Sequence, residues 1–250
     1  MKANKVGTDL MKAALVAVVA LVSTGCGKVL KQKEFEGLSC GASDQVKSFM
    51  NPMDATIVQT VTIDPNFSAL EIAKIQSAID TWNVEGVRST GHEIFRAQVL
   101  SVSAQSVPSN AQDCGFPGAS GAFSIVKVTS SSTWTNLGFT ASNPGVTIRC
   151  ASGSEYAEKQ VVLLNTTNMA SMPNIFESVI LHELGHAIGL DHSCDMTNSK
   201  IPGFAGCSAA GTDPSYIEAV MYPYVSATNT KEDLRRNDEE RATCALNYRP

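Results

Sequence analysis

A single short stretch holds the residue types and spacings with which this chain can do chemistry. Residues 182–192 read His-Glu-Leu-Gly-His-Ala-Ile-Gly-Leu-Asp-His and contain three of its four histidines. On a helix, His182 and His186 project from the same face, one turn apart. Two imidazoles so placed can grip one Zn²⁺ at about 2.0–2.1 Å each. Glu183, beside the first, could reach a metal-bound water without entering the coordination shell. Gly189 can take the left-handed conformation that ends a helix, and the turn would swing His192 back as a third ligand. A fourth position left to water belongs to a catalytic zinc site rather than a closed structural one.

The pattern His182-Glu183-x-x-His186-x-x-Gly189-x-x-His192 resembles the elongated zinc signature of the metzincin metallopeptidases. Ser193 after the third histidine is similar to the matrixin branch, and Ala219-Val220-Met221-Tyr222-Pro223 resembles the matrixin Met-turn. The resemblance spans residues 52–250 and is specific between Glu177 and Tyr224. It implies an α/β (α+β) fold: a twisted, mostly parallel sheet with long helices and a zinc helix, then a small C-terminal subdomain with the Met-turn and a final helix. It also implies peptide hydrolysis, with His182, His186 and His192 as metal ligands and Glu183 as the catalytic residue. Bound Zn²⁺ lowers the pKa of water from 15.7 to about 7 and polarises the scissile carbonyl. Glu183 would take the water's proton and deliver it to the leaving amine. Met221 would lie beneath the metal as a soft apolar floor, and Tyr222 and Pro223 would form part of a substrate-pocket wall. Tyr224 does not stand where the ligating tyrosine of the astacin branch does. Calcium on loop carboxylates and carbonyls is compatible with the family, without an assigned ligand set.

The elements that must position these residues follow from pattern. Residues 56–63 alternate and are rich in β-branched types, so they predict a strand. Ser68 with Glu71 predicts a capping box, opening a helix whose apolar stripe is Ile72, Ile75, Ile79 and Trp82. Residues 94–102, 122–128, 134–140 and 145–151 read as further strands. The run 160–165 reads as an inner strand buried on both faces. Asn174 with Glu177 predicts the cap of the zinc helix, whose buried side is Ile175, Val179, Ile180, Leu184 and Ile188. The segment between His192 and Met221 contains Gly203, Gly206, Gly211 and Pro214 and reads as a loop. Asn237 with Glu240 predicts the cap of a last helix ending near Leu246. His92 reads as an exposed loop histidine.

Residues 1–25 read as a signal peptide: Lys2, Lys5 and Lys12 precede an apolar run over 13–22, and Ser23-Thr24-Gly25 leads into Cys26. Such a run is too short to span a bilayer and has the length of a secretory h-region. The small residues before Cys26 resemble a lipobox, with Ser23 where leucine is usual. Residues 26–51 then read as a lipid-anchored tether or short arm, and 52–250 as the catalytic domain. Gly27, rather than aspartate, follows the anchor cysteine. The expected location is therefore an outer-membrane lipoprotein in a two-membrane bacterium, or the extracellular space. The other six cysteines suggest three disulfides in an exported chain. Cys194 with Cys207 closes a short loop within one segment. The other four cysteines allow three pairings that the sequence leaves open, Cys40 with Cys244 and Cys114 with Cys150 being one of them. Asp113 to Gly118 mildly resembles a matrixin cysteine switch. Its place inside the domain, and the absence of the flanking arginine and aspartate, make Cys114 a disulfide cysteine instead.

At 250 residues, 43% hydrophobic and 17% charged, the chain has material for one sizeable domain. A net charge of −5 supplies no basic footprint for nucleic acid. A monomer acting on protein or peptide substrates is expected. Two function classes remain. One is a secreted or envelope-anchored zinc endopeptidase. The other is a surface lipoprotein that keeps a retired metzincin fold as a binding module. Intact Glu183 and all three ligands count against retirement, because a binding module has no need of a general base. Zinc as a mere staple fits poorly with the disulfide count and the open coordination.

Overall fold

The computed structural model describes residues 52–102, 107–110, 114, 122–151, 156–194, 206–207 and 214–248. Residues 1–51, with Cys26 and Cys40 among them, lie outside these. Five strands form one sheet: β1 (Gln59–Ile63), β2 (Phe95–Val99), β3 (Ala122–Val128), β4 (Gly145–Cys150) and β5 (Lys159–Asn165). Their order is β2-β1-β3-β5-β4. Every pairing is parallel except that of the edge strand β4, which runs antiparallel to β5. The result is the mixed α/β fold with a mostly parallel sheet that the resemblance implies.

β5 is apolar on both faces because both are covered. Val162 and Leu164 join the main core with Ile63, Ile125, Trp82 and Leu184, while Val161 and Leu163 pack on Trp134, Leu137 and Ile148 on the other side. The first helix, α1 (Ala69–Thr90), opens on the expected capping box: Glu71 N–H donates to Ser68 Oγ and Ser68 N–H to Glu71 Oε2. It ends at Gly91, whose φ of 86° is open to glycine at little cost. Its stripe residues Ile75, Ile79 and Trp82 are buried, and Trp82 Nε1 donates to Leu181 O at 2.8 Å. That bond joins the indole of α1 to the helix bearing the histidines.

Residues 134–140 are not a strand. They fall in and after α2 (Ser131–Asn136), where Ser130 Oγ caps the helix by accepting Thr133 N–H. Buried Trp134 anchors this turn, and its Nε1 donates to Thr140 O. Local capping and one aromatic anchor thus override a weak alternation. A short helix α3 (Thr166–Met169) and a 3₁₀ turn (Pro173–Ile175) lead into α4 (Phe176–Ile188), the helix of His182 and His186. The expected Asn174–Glu177 box does not form, because both side chains are taken by other elements. Asn174 Nδ2 donates to Ala227 O, and Glu177 Oε1 accepts from Ser77 Oγ on α1. The 3₁₀ turn feeds α4 directly without a side-chain cap.

Part of the segment read as a loop, Pro214–Ile217, forms a single helical turn, α5. The final helix, α6 (Arg236–Leu246), is capped two residues earlier than expected: Asp238 accepts Arg235 N–H, while Glu240 pairs with Arg236. Disulfides join Cys114 to Cys150 and Cys194 to Cys207. Cys244 is also disulfide-bonded, and its expected partner Cys40 is outside the described residues. Among the described residues no helix is long and apolar enough to cross a membrane.

Candidate active site

Gly189 ends α4 with φ 119°, its N–H turned back to Gly185 O and His186 O. Pro52 packs where a Cβ would stand, 2.7 Å from its Cα, so the glycine is required by both backbone and neighbour. The reversal brings His192 beside the helix. The three imidazole centroids then lie 4.7, 5.3 and 5.0 Å apart, and their ligand atoms fall within 4.8 Å of one another.

The rings are oriented by carbonyls. A carbonyl only accepts, so His182 Nδ1 carries the proton it gives to Val220 O, and His186 Nδ1 the one it gives to Leu190 O, each at 2.7 Å. Both Nε2 lone pairs are thereby free for a metal, the arrangement in which backing partners orient imidazole ligands. Burial, aided by the charge of His192, pushes His182 down to about 4. Burial, with Arg241 adding to it, does the same to His192, and His186 falls well below its ordinary value. Neutral imidazoles are the form a metal needs. Three neutral nitrogens without a thiolate or a lysine among them suit Zn²⁺.

Glu183 is 6% exposed, and burial pushes its carboxyl up to about 7, with a hydrogen bond from Thr147 acting the other way. Thr147 Oγ1 lies 2.7 Å from Glu183 Oε2 and 2.8 Å from Glu183 O. Met221 is fully buried against the helix between the histidines. A Cβ on Gly185 would stand 2.3 Å from Met221 Sδ, so only glycine admits this thioether floor.

Helix α6 braces the site from behind. Asp238, 0% exposed, accepts Val220 N–H at 2.8 Å and Met221 N–H at 3.0 Å. Arg241 Nη2 donates to Asp191 O at 2.7 Å and His192 O at 3.2 Å. Burial pushes Arg241 down to about 10 against the pull of Asp238 and Asp191. Ser193 N–H donates to Met221 O and its Oγ to Tyr216 O, tying the third histidine's neighbour to the Met-turn. A cavity of about 510 Å³ opens beside Glu183, lined by Val179, Tyr222, Pro223, Val225 and Lys231 among others.

Every residue singled out at 182–193 and 219–223 thus falls at one place. His92 does not: it is half-buried rather than exposed, with Nδ1 against Thr90. Thr147, Asp238 and Arg241 were not visible from the motif. Asp238 and Arg241 do stand on the buried stripe of α6 among Ala242, Ala245 and Leu246, and charges at core positions are the one signal that marks them.

The sheet, the left-handed turn at Gly189 and the three converging imidazoles define a metzincin-like metallopeptidase. Residues 53–232 match the Reprolysin_5 model of metallo-peptidase family M12, and the chain belongs to that family. No curated protein matches the sequence. Among solved structures, one similar chain is high choriolytic enzyme 1, a hatching-enzyme zinc protease from the medaka fish Oryzias latipes. It is 14% identical with a TM-score of 0.38, over 84% of this chain and 98% of that one. Another is myroilysin, 11% identical with a TM-score of 0.37, over 80% and 97%.

Proposed function

We propose that this protein is an exported zinc endopeptidase in which Glu183 is the general base and His182, His186 and His192 hold the metal. The observation that carries the reading is the convergence of three imidazoles that line one cavity together with Glu183. Zinc, when bound, supplies a water of lowered pKa and a Lewis acid for the carbonyl. The chain's own residues do the rest. Nδ1 bonds keep Nε2 of His182 and His186 turned inward, and Arg241 holds the backbone of His192. Glu183 takes a proton from the attacking water and returns it to the amine nitrogen as the C–N bond breaks.

Cleavage within chains, rather than at their ends, is supported by the edge position of β4. Its outer backbone can pair with an extended peptide laid across the site. Ser193 and the 219–223 turn support a matrixin-like lower rim within this M12 chain. The disulfides fit an oxidising compartment. Cys26 would add a lipid anchor on a tether with a reach of roughly 25–30 Å. Cys26→Ser should release the protein from membranes, and equal membrane fractions for both forms would make it a soluble secreted enzyme.

The endopeptidase reading is tested by digesting a denatured protein with the oxidised enzyme, with and without a chelator, and sequencing the new termini. Internal cuts that stop with chelator and return with zinc are expected. Release of terminal residues alone, or no cutting with zinc restored, would overturn it.

A further inference from the structure

The edge strand β4 does more than border the cavity: it touches the proposed base itself. Gly145 and Thr147, two apart on a strand, face α4 from the same side. A Cβ on Gly145 would lie 2.7 Å from Val179 Cγ1, 2.9 Å from Glu183 Cγ and 3.0 Å from Glu183 Oε1. The missing side chain is what lets the strand close onto the glutamate and brings the Thr147 hydroxyl to 2.7 Å from Oε2.

That hydroxyl has one hydrogen and two acceptors in reach, Glu183 Oε2 and Glu183 O. The carbonyl stands within α4, where the helical ladder already supplies a donor. The carboxylate is buried, and a hydrogen bond to an ionised oxygen is the stronger of the two. Threonine is also stiff at χ1, so the strand fixes where its hydroxyl points.

We propose that Thr147 is a positioning residue for Glu183, its hydroxyl holding Oε2 so that Oε1 is the oxygen that exchanges protons with the water and the leaving amine. The inference rests on Glu183 being the base. With Oε2 engaged, the proton taken as the water's O–H bond breaks resides on Oε1. From there it passes to the amine nitrogen without rotation of the carboxyl. Oε2 remains an acceptor whether Glu183 is ionised or protonated, so the Thr147 bond persists through the whole transfer.

The test compares Thr147→Val, Thr147→Ser and Thr147→Val in a Glu183→Ala background, reading kcat and KM on one peptide together with zinc content. Hydrogen-bond partners behind metal ligands typically contribute about 10–100-fold, and a factor of the same order is expected behind the base. Thr147→Val should lower kcat by about that factor with KM and zinc content unchanged, and Thr147→Ser should stay within a few-fold of the parent. In the Glu183→Ala background, Thr147→Val should cost nothing further. Equal losses for valine and serine, a parent-like kcat for valine, or loss of zinc with activity would each overturn the proposal. An active Glu183→Ala single variant would instead overturn the assignment of the base, and this proposal with it.

Discussion

Asp238 accepts the backbone N–H of Met221 at 3.0 Å, linking the last helix to the floor beneath the histidines. The same carboxylate takes Val220 N–H and Arg235 N–H, and Val220 O in turn receives the proton of His182 Nδ1. One buried side chain therefore caps α6, shapes the 219–223 turn and stands two hydrogen bonds behind His182, a proposed ligand. Asp238→Ala would leave three amides and the Arg241 guanidinium without it. Loss of one partner of a buried, hydrogen-bonded charge costs about 3–5 kcal/mol. Urea unfolding should report a loss of that size, with Asp238→Asn less affected because it keeps one acceptor oxygen.

Arg241 acts on the other side of the same bracket, through Asp191 O and His192 O. Its replacement by methionine keeps much of the packing volume and removes both donors. Zinc affinity, read by competition with a chromophoric chelator, should fall about 10–100-fold. His182 and His186 keep their own carbonyl partners, so binding should weaken rather than vanish.

Gly185 tests the contact between α4 and the Met221 side chain beneath it. An added Cβ would sit 2.3 Å from Met221 Sδ and 3.1 Å from Trp82 Cζ2. Gly185→Ala, favourable on helix propensity alone, should instead destabilise by about 1–3 kcal/mol through overpacking. Thermal unfolding of the two proteins decides the sign.

Glu71 gives an acid-sensitive contribution far from the site. Burial works against its ionisation, but the bonds from Lys127 and Ser68 outweigh that and hold its carboxyl below the ordinary value. A carboxylate depressed in the folded state stabilises above its unfolded pKa of about 4.3, and the contribution is lost as pH falls through the folded value. Gln can still cap at N3, so Glu71→Gln loses the charge paired with Lys127 and should cost up to about 1 kcal/mol at neutral pH. The gap between parent and variant should narrow below the unfolded pKa of about 4.3 and close as pH falls through the lower folded value.

The motif was legible because its geometry is local. An i, i+4 pair and a glycine that must turn left-handed follow from helix geometry alone, so His182, His186 and the return to His192 could be placed from the sequence. The capping box of Ser68 and Glu71 is local in the same sense. Thr147, Asp238 and Arg241 reach the site only through strand pairing and the docking of α6, across separations of 36, 18 and 49 residues. No short-range pattern encodes those encounters. The α4 cap failed for the same reason: Asn174 and Glu177 have local capping chemistry, but Ala227 and Ser77 offer tertiary partners instead. At 134–140 the alternation was too short to outweigh a serine cap and one buried tryptophan.

The central claim is that Glu183 serves the reaction and not the metal. Zinc stoichiometry and peptide hydrolysis measured side by side on the parent and on Glu183→Ala test it most directly. One zinc per chain in both, with the variant slower by about 10²–10⁴-fold, is the predicted result. A variant that cleaves as fast as the parent, or that loses its zinc, would contradict it.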